Sequence, residues 1–147
     1  MRQKKYTALI ALLGILICCI IFAVNYKIVI IDGQSMEPTL KSRQFVLAKR
    51  TETDIKNGDI IVFSISGKTY IKRVFASRGD TVELKDGSIY VNGASVSPYK
   101  YDSVTEIVYA LGEGEFFVMG DNADSSMDSR VFGLILSEQI IGKVVLP

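Results

Sequence analysis

From Tyr6 to Tyr26 no side chain is charged, and this restricts the chain more than any other feature. As a helix rising ~1.5 Å per residue the stretch is about as long as a bilayer core is thick, ~30 Å. A cleaved secretory signal has a shorter apolar run, ~7–15 residues, and ends on small residues two apart. Phe22-Ala23-Val24-Asn25-Tyr26 offers no such pair, and Ile17 ahead of Cys18 is bulkier than a lipidation signal accepts. Residues 6–26 are therefore expected to be an uncleaved, single-pass transmembrane anchor. Arg2, Lys4 and Lys5 precede it, so the positive-inside rule puts residues 1–5 in the cytoplasm and residues 27–147 on the outer face.

After the anchor the pattern becomes short apolar or alternating runs broken by Gly, Asn and Asp, which signals β-structure. Strands are expected over Lys27–Ile31, Phe45–Lys49, Asp59–Ser64, Thr69–Phe75, Thr81–Leu84, Ser88–Val91, Glu115–Met119 and Ile140–Leu146. Asn57-Gly58, Ser66-Gly67, Asp86-Gly87 and Asn92-Gly93 supply residues that tolerate positive φ between them. Asn92 to Gly114 has weak periodicity and reads as an excursion from the main sheet. A chain of 147 residues with one apolar span leaves one modest domain. The expected fold class is mainly β: one transmembrane helix followed by a small all-β domain.

The sequence has no histidine, which removes Ser-His-Asp and Cys-His catalysis and most zinc sites. Its 17 Lys+Arg and 16 Asp+Glu are scattered, for a net charge of +1, so no basic surface exists for nucleic acid. Cys18 and Cys19 are neighbours in the apolar run and read as small apolar side chains.

Three stretches carry chemistry. Ser35-Met36-Glu37-Pro38-Thr39-Leu40 follows Gly33-Gln34; its serine reads either as an ordinary turn residue or as one whose hydroxyl and amide are both exposed to a substrate. In Tyr70-Ile71-Lys72-Arg73-Val74, alternation sends Lys72 and Arg73 to opposite faces. Lys72 is either a solvated edge residue or a buried amine whose proton affinity is lowered enough to act as a base. Gly120 to Arg130 collects Asp121, Asn122, Asp124, Ser125, Ser126, Asp128 and Arg130 in one polar loop. Its oxygens lack the spacing of a calcium loop, and Arg130 opposes a cation.

In this order, with Gly58-Asp59-Ile60-Ile61-Val62-Phe63 between the serine and the lysine, these stretches resemble the motif set of bacterial type I signal peptidases, from about Asp32 to Lys143. The resemblance implies that Ser35 is the acylated nucleophile, Lys72 its general base, and Ser126 a hydroxyl that orients the amine. Asp128 and Arg130 correspond to a supporting ion pair, and Asp121 to the acid that opens the last motif. It also implies a catalytic domain of signal-peptidase type with residues 88–114 as a reduced accessory subdomain. The implied partners are membrane lipid and exported precursors bearing signal peptides, cut after small residues in an Ala-X-Ala pattern. No cofactor and no metal is implied.

The chain departs from that pattern in places. Some members of the family carry a serine hydroxyl two positions before the nucleophile to help bind the oxyanion; here the position is Gly33. Only Gly79 and Asp80 remain of the turn that usually follows the lysine, and Ala123 stands where arginine is common. An alternative reading is a non-proteolytic factor, for instance in surface-fibre assembly, on the same scaffold. A self-cleaving repressor is a third, which the anchor argues against.

Overall fold

The computed structural model describes residues 2–50, 54–103 and 105–146, so Met1 of the expected 1–5 segment lies outside the described residues. The chain begins with helix α1 (Arg2–Asn25). Its described side chains, Tyr6 and residues 9–25, are exposed on every side, as befits a helix that is apolar all round with no partner packed on it. Among the described residues no helix is long and apolar enough to cross a membrane; the unbroken run of described side chains in α1 covers 9–25 alone. The stretch expected as an anchor is thus helical without qualifying as a span. Tyr26, expected at its end, instead opens the first strand because it pairs with Lys49.

Among the described residues eleven strands follow: β1 (Tyr26–Ile30), β2 (Phe45–Lys49), β3 (Ile60–Ile65), β4 (Lys68–Ala76), β5 (Thr81–Lys85), β6 (Ser88–Val91), β7 (Ala94–Lys100), β8 (Ile107–Ala110), β9 (Glu115–Met119), β10 (Ile135–Leu136) and β11 (Ile140–Leu146). Seven form one antiparallel sheet in the order β1-β2-β11-β3-β4-β9-β10, and four form another in the order β7-β6-β5-β8. The mainly β expectation matches this architecture. Three hairpins turn on residue pairs with positive φ at both positions: Ser66-Gly67 (50° and 77°), Asp86-Gly87 (51° and 70°) and Asn92-Gly93 (52° and 79°). That is the backbone a two-residue turn needs to follow the twist of its strands.

The excursion expected over Asn92–Gly114 holds β7 and β8. Periodicity missed β7 because most of it is exposed on both faces, with Pro98 inside it. Thr81 to Lys85 joins the same small sheet, which therefore begins before residue 88.

Three apolar clusters hold the domain. Ile61, Phe63, Val74, Val118 and Ile135 fill one side of the large sheet. Ala76, Val82, Leu84, Ile89, Phe117 and Met119 draw on both sheets and join them. Met36 and Leu40, each fully buried, pack with Ile31 and Val46 under the turn that follows β1. Burying a side chain of that size contributes about 2 kcal/mol, enough to fix the turn to the sheet.

The crossing between the sheets is tied by one carboxylate. Asp80 accepts hydrogen bonds from Asn57 Nδ2 (2.7 Å), Asn92 Nδ2 (2.7 Å) and Ser77 N (2.9 Å). Asn57 belongs to the turn before β3, Asn92 to the β6–β7 turn. These bonds, led by the one from Asn57, hold the Asp80 carboxyl below its ordinary range. Asp80→Ala is expected to raise amide hydrogen exchange across β5–β8 while leaving β3, β4 and β9 protected. Equal exchange in both sheets would refute Asp80 as the tie.

Candidate active site

The turn carrying Ser35 is held from several directions. Leu40 N donates to Met36 O (2.9 Å), Glu37 N to Gln34 O (3.1 Å), and Arg43 N to Ile31 O (2.8 Å). Gly33, two residues before the serine, has φ 95°, a conformation suited to glycine. From the far side Asn122 N donates to Ser35 O (3.0 Å) and Asn122 Nδ2 to Gln34 O (3.2 Å). The buried Met36 and Leu40 face the core, leaving Ser35 at the domain's surface cleft.

Lys72 lies on β4, between β3 and β9. It pairs with Ile61 in register and is only 3% exposed. The side chain therefore points inward, while its neighbour Arg73 takes the other face. Its amine donates to Ser35 Oγ (2.7 Å) and to Ile71 O (2.9 Å). Burial disfavours the ammonium and lowers its pKa to about 8, against the opposing pull of Asp128 and then Asp121. Once the amine sheds a proton, the same contact can run in reverse, with the serine hydroxyl donating to nitrogen. A serine hydroxyl and a neutral amine at this distance are placed so that one can give up its proton to the other.

Both aspartates are matched by arginines. Arg73 Nε and Nη2 donate to the two oxygens of Asp121 (2.8 and 2.6 Å), while its Nη1 reaches Gly58 O (2.8 Å) and Nη2 reaches Thr39 Oγ1 (3.3 Å). Arg73 thus links β4, the serine turn, the Asn57-Gly58 turn and the polar loop. Arg130 Nε and Nη2 donate to Asp128 (2.8 and 3.0 Å), and Nη2 also reaches Ala123 O (2.8 Å). Asp128, fully buried, accepts as well from Gly120 N (3.1 Å) and caps the short helix α2 (Ser129–Phe132) through Arg130 N. Each pairing raises the arginine's pKa, chiefly by the hydrogen bond to its aspartate.

Ser126, expected to orient the amine, makes no described bond to it. The described bonds of the Lys72 amine go to Ser35 Oγ and Ile71 O. The Ser126 hydroxyl is buried with no hydrogen-bond partner among the described residues. It lies against Gly120, where an added Cβ would meet Ser126 Oγ and would come within 2.5 Å of Ser35 O. Only glycine lets the polar loop approach the serine turn this closely. Sequence reasoning placed Gly120 and Asn122 in the polar loop without giving either a contact to the serine turn, and it missed the bridging role of Arg73; the one available signal was that Arg73 must face away from Lys72.

A cleft of about 280 Å³ opens beside the pair, lined by Lys27 to Asp32 of β1 and its end, by Ser35, and by Thr69 to Lys72 of β4. β1 is an edge strand of the sheet, and the unpaired peptide groups of an edge can take an extended chain as a further strand. Among the described residues no cluster of His, Cys, Asp or Glu could hold a metal ion.

Lys72 should cost the fold stability. Its folded pKa of about 8 lies below the ordinary 10.5, so the unfolded chain binds the extra proton between these values. Stability then rises with pH across that window, and below it the full penalty, on the order of 3 kcal/mol, applies. Lys72→Met is expected to be more stable than the wild type at pH 7 in denaturant titrations, by up to that amount, with the gain shrinking between pH 8 and 10.5. A variant less stable at pH 7 would contradict the buried, costly amine.

Comparison with known proteins bears on what the site belongs to. The family model described as signal peptidase, peptidase S26, matches residues 3–147. Signal peptidase I of Bacillus amyloliquefaciens is 38% identical over 130 residues, 77% of this chain and 70% of that protein. Signal peptidase I S of Bacillus subtilis (strain 168) is 35% identical over 160 residues, 97% of this chain and 85% of the relative. The solved signal peptidase I of Enterococcus faecalis V583 is 28% identical, covers 61% of this chain and 96% of its own, and has a TM-score of 0.46. With the family match running from residue 3 to the last residue, the chain belongs to the signal peptidase family, peptidase S26.

Proposed function

We propose that the protein is a membrane-anchored signal peptidase that removes signal peptides from exported precursors after small residues, with Ser35 as nucleophile and Lys72 as general base. Membership of the family makes it a serine endopeptidase. The observation that carries the assignment of roles is the 2.7 Å contact between a buried amine and a serine hydroxyl at a cleft, in a chain with no histidine.

Neutral Lys72 takes the Ser35 proton as Oγ attacks the scissile carbonyl, and the resulting ammonium returns that proton to the leaving amine. Water then attacks the acyl-enzyme as Lys72 takes its proton, which passes to Ser35 Oγ when the ester bond breaks and frees the carboxylic acid. The oxyanion is met by the Ser35 N–H, since Gly33 has no side-chain donor. Asp121 with Arg73 and Asp128 with Arg130 hold the polar loop. The unsatisfied hydroxyl of Ser126 is a candidate partner for the lysine ammonium, for a buried hydroxyl without a bond is costly to keep. The cleft between β1 and β4 suits an extended segment with small side chains.

The anchor completes the reading. Its support is the uncharged run from Tyr6 to Tyr26, the basic residues before it, and the exposure of Leu9, Ile10, Leu12, Leu13 and Ile15 on all sides of α1. The N-terminus then lies in the cytoplasm and the catalytic domain on the outer face. The short link from Asn25 to Ser35, at ~3.3 Å per extended residue, keeps the nucleophile within ~30 Å of the bilayer, where precursors are tethered.

In liposomes, cleavage of a membrane-tethered precursor bearing Ala-X-Ala is expected for the wild type and lost, by at least a thousandfold, in Ser35→Ala and Lys72→Met. The wild-type rate should climb through about pH 8 as Lys72 sheds its proton. Turnover retained by Lys72→Met would remove lysine from the base role; no cleavage by the wild type would favour the non-proteolytic alternative.

A further inference from the structure

Asn122 grips two consecutive carbonyls of the serine turn. Its backbone N–H donates to Ser35 O (3.0 Å), and its side-chain amide donates to Gln34 O (3.2 Å), which also accepts from Glu37 N (3.1 Å). The second grip falls on the peptide unit joining Gln34 to Ser35. That unit is trans and planar, so its C=O and N–H point in opposite directions. Fixing the carbonyl towards Asn122 fixes the Ser35 N–H away from it. Among the described residues this N–H donates to no protein acceptor, and Gly33, two residues earlier, has no hydroxyl to share its task.

We propose that Asn122 is a positioning residue for oxyanion stabilisation: its side-chain amide sets the plane of the Gln34–Ser35 peptide and thereby the aim of the Ser35 N–H at the developing negative charge. The inference rests on the reading of Ser35 as the nucleophile. Asn122 makes no bond to the Lys72 amine, whose described partners are Ser35 Oγ and Ile71 O. The amide therefore acts on the transition state and leaves the base untouched. Its backbone bond to Ser35 O survives side-chain substitution, so the turn stays attached while one peptide plane is released.

Asn122→Ala and the isosteric Asn122→Asp, which cannot donate, test this with a soluble Ala-X-Ala peptide in detergent and with a peptide boronate. The boronate bonds to Ser35 Oγ, its proton passing to Lys72, and sets an oxygen where the tetrahedral intermediate carries its charge. Expected for both variants are a kcat lowered roughly 10- to 100-fold, a KM within about twofold, and a boronate inhibition constant raised in step with the fall in kcat. For Asn122→Ala, which adds no charge, the midpoint of the pH–rate profile should stay at the wild-type value. A kcat within twofold of wild type, an unchanged boronate affinity, or an Asn122→Ala loss traced to KM or to a moved pH midpoint would overturn the proposal. An inactive wild type, indistinguishable from Ser35→Ala, would instead sink the nucleophile reading on which it rests.

Discussion

A primary amine buried in the middle of a β-sheet is the constraint around which this domain is arranged. Lys72 is 3% exposed, and water no longer pays the ammonium its solvation energy, so the proton is held loosely. Two carboxylates in the vicinity would undo this, because Asp128 and Asp121 both draw the proton back. Each is bound by an arginine in paired hydrogen bonds, Asp121 by Arg73 and Asp128 by Arg130. The arginines thus limit how much negative charge the amine feels, while the aspartates anchor the loop that carries them.

The serine must be delivered to that amine with comparable exactness. Three devices act on its turn: the buried Met36 and Leu40 beneath it, the strap from Asn122 across it, and the close approach of Gly120 beside it. The last two come from one loop far from the turn in sequence. The small sheet contributes at a distance, through Arg130 Nη1 donating to Lys100 O (3.3 Å) and through the Tyr99 ring 5.8 Å from the Arg130 guanidinium. A loosened small sheet would therefore reach the polar loop by way of Arg130.

Much of this was legible in the residues. Alternation along Tyr70 to Phe75 required Lys72 and Arg73 to part, and they do, one into the core and one onto Asp121. Glycine-containing pairs marked the hairpins because two consecutive positive φ values admit few residues. Asp128 and Arg130 were expected as an ion pair by resemblance and they bond to each other, whereas nothing in the residues announced that Asp121 would take Arg73. What stayed hidden depends on contacts between distant segments: which carbonyls Asn122 would reach, that Asp80 would tie two sheets, and that the Ser126 hydroxyl would sit unbonded. β7 and β8 escaped notice because neither strand contributes a fully buried residue, so their apolar positions are too sparse to stand out in the sequence. A helix was expected over residues 6–26 from the uncharged run, and α1 covers Arg2–Asn25; its reading as an anchor rests on the sequence and on its unpartnered surface.

The most direct test is titration of the Lys72 amine itself, followed by ¹³Cε NMR of labelled lysines in the full chain in detergent and assigned by comparison with Lys72→Met. One lysine titrating near pH 8, absent from the variant, is expected from its burial. Lysines that all titrate near the ordinary 10.5 would contradict a neutral Lys72 acting as base at Ser35.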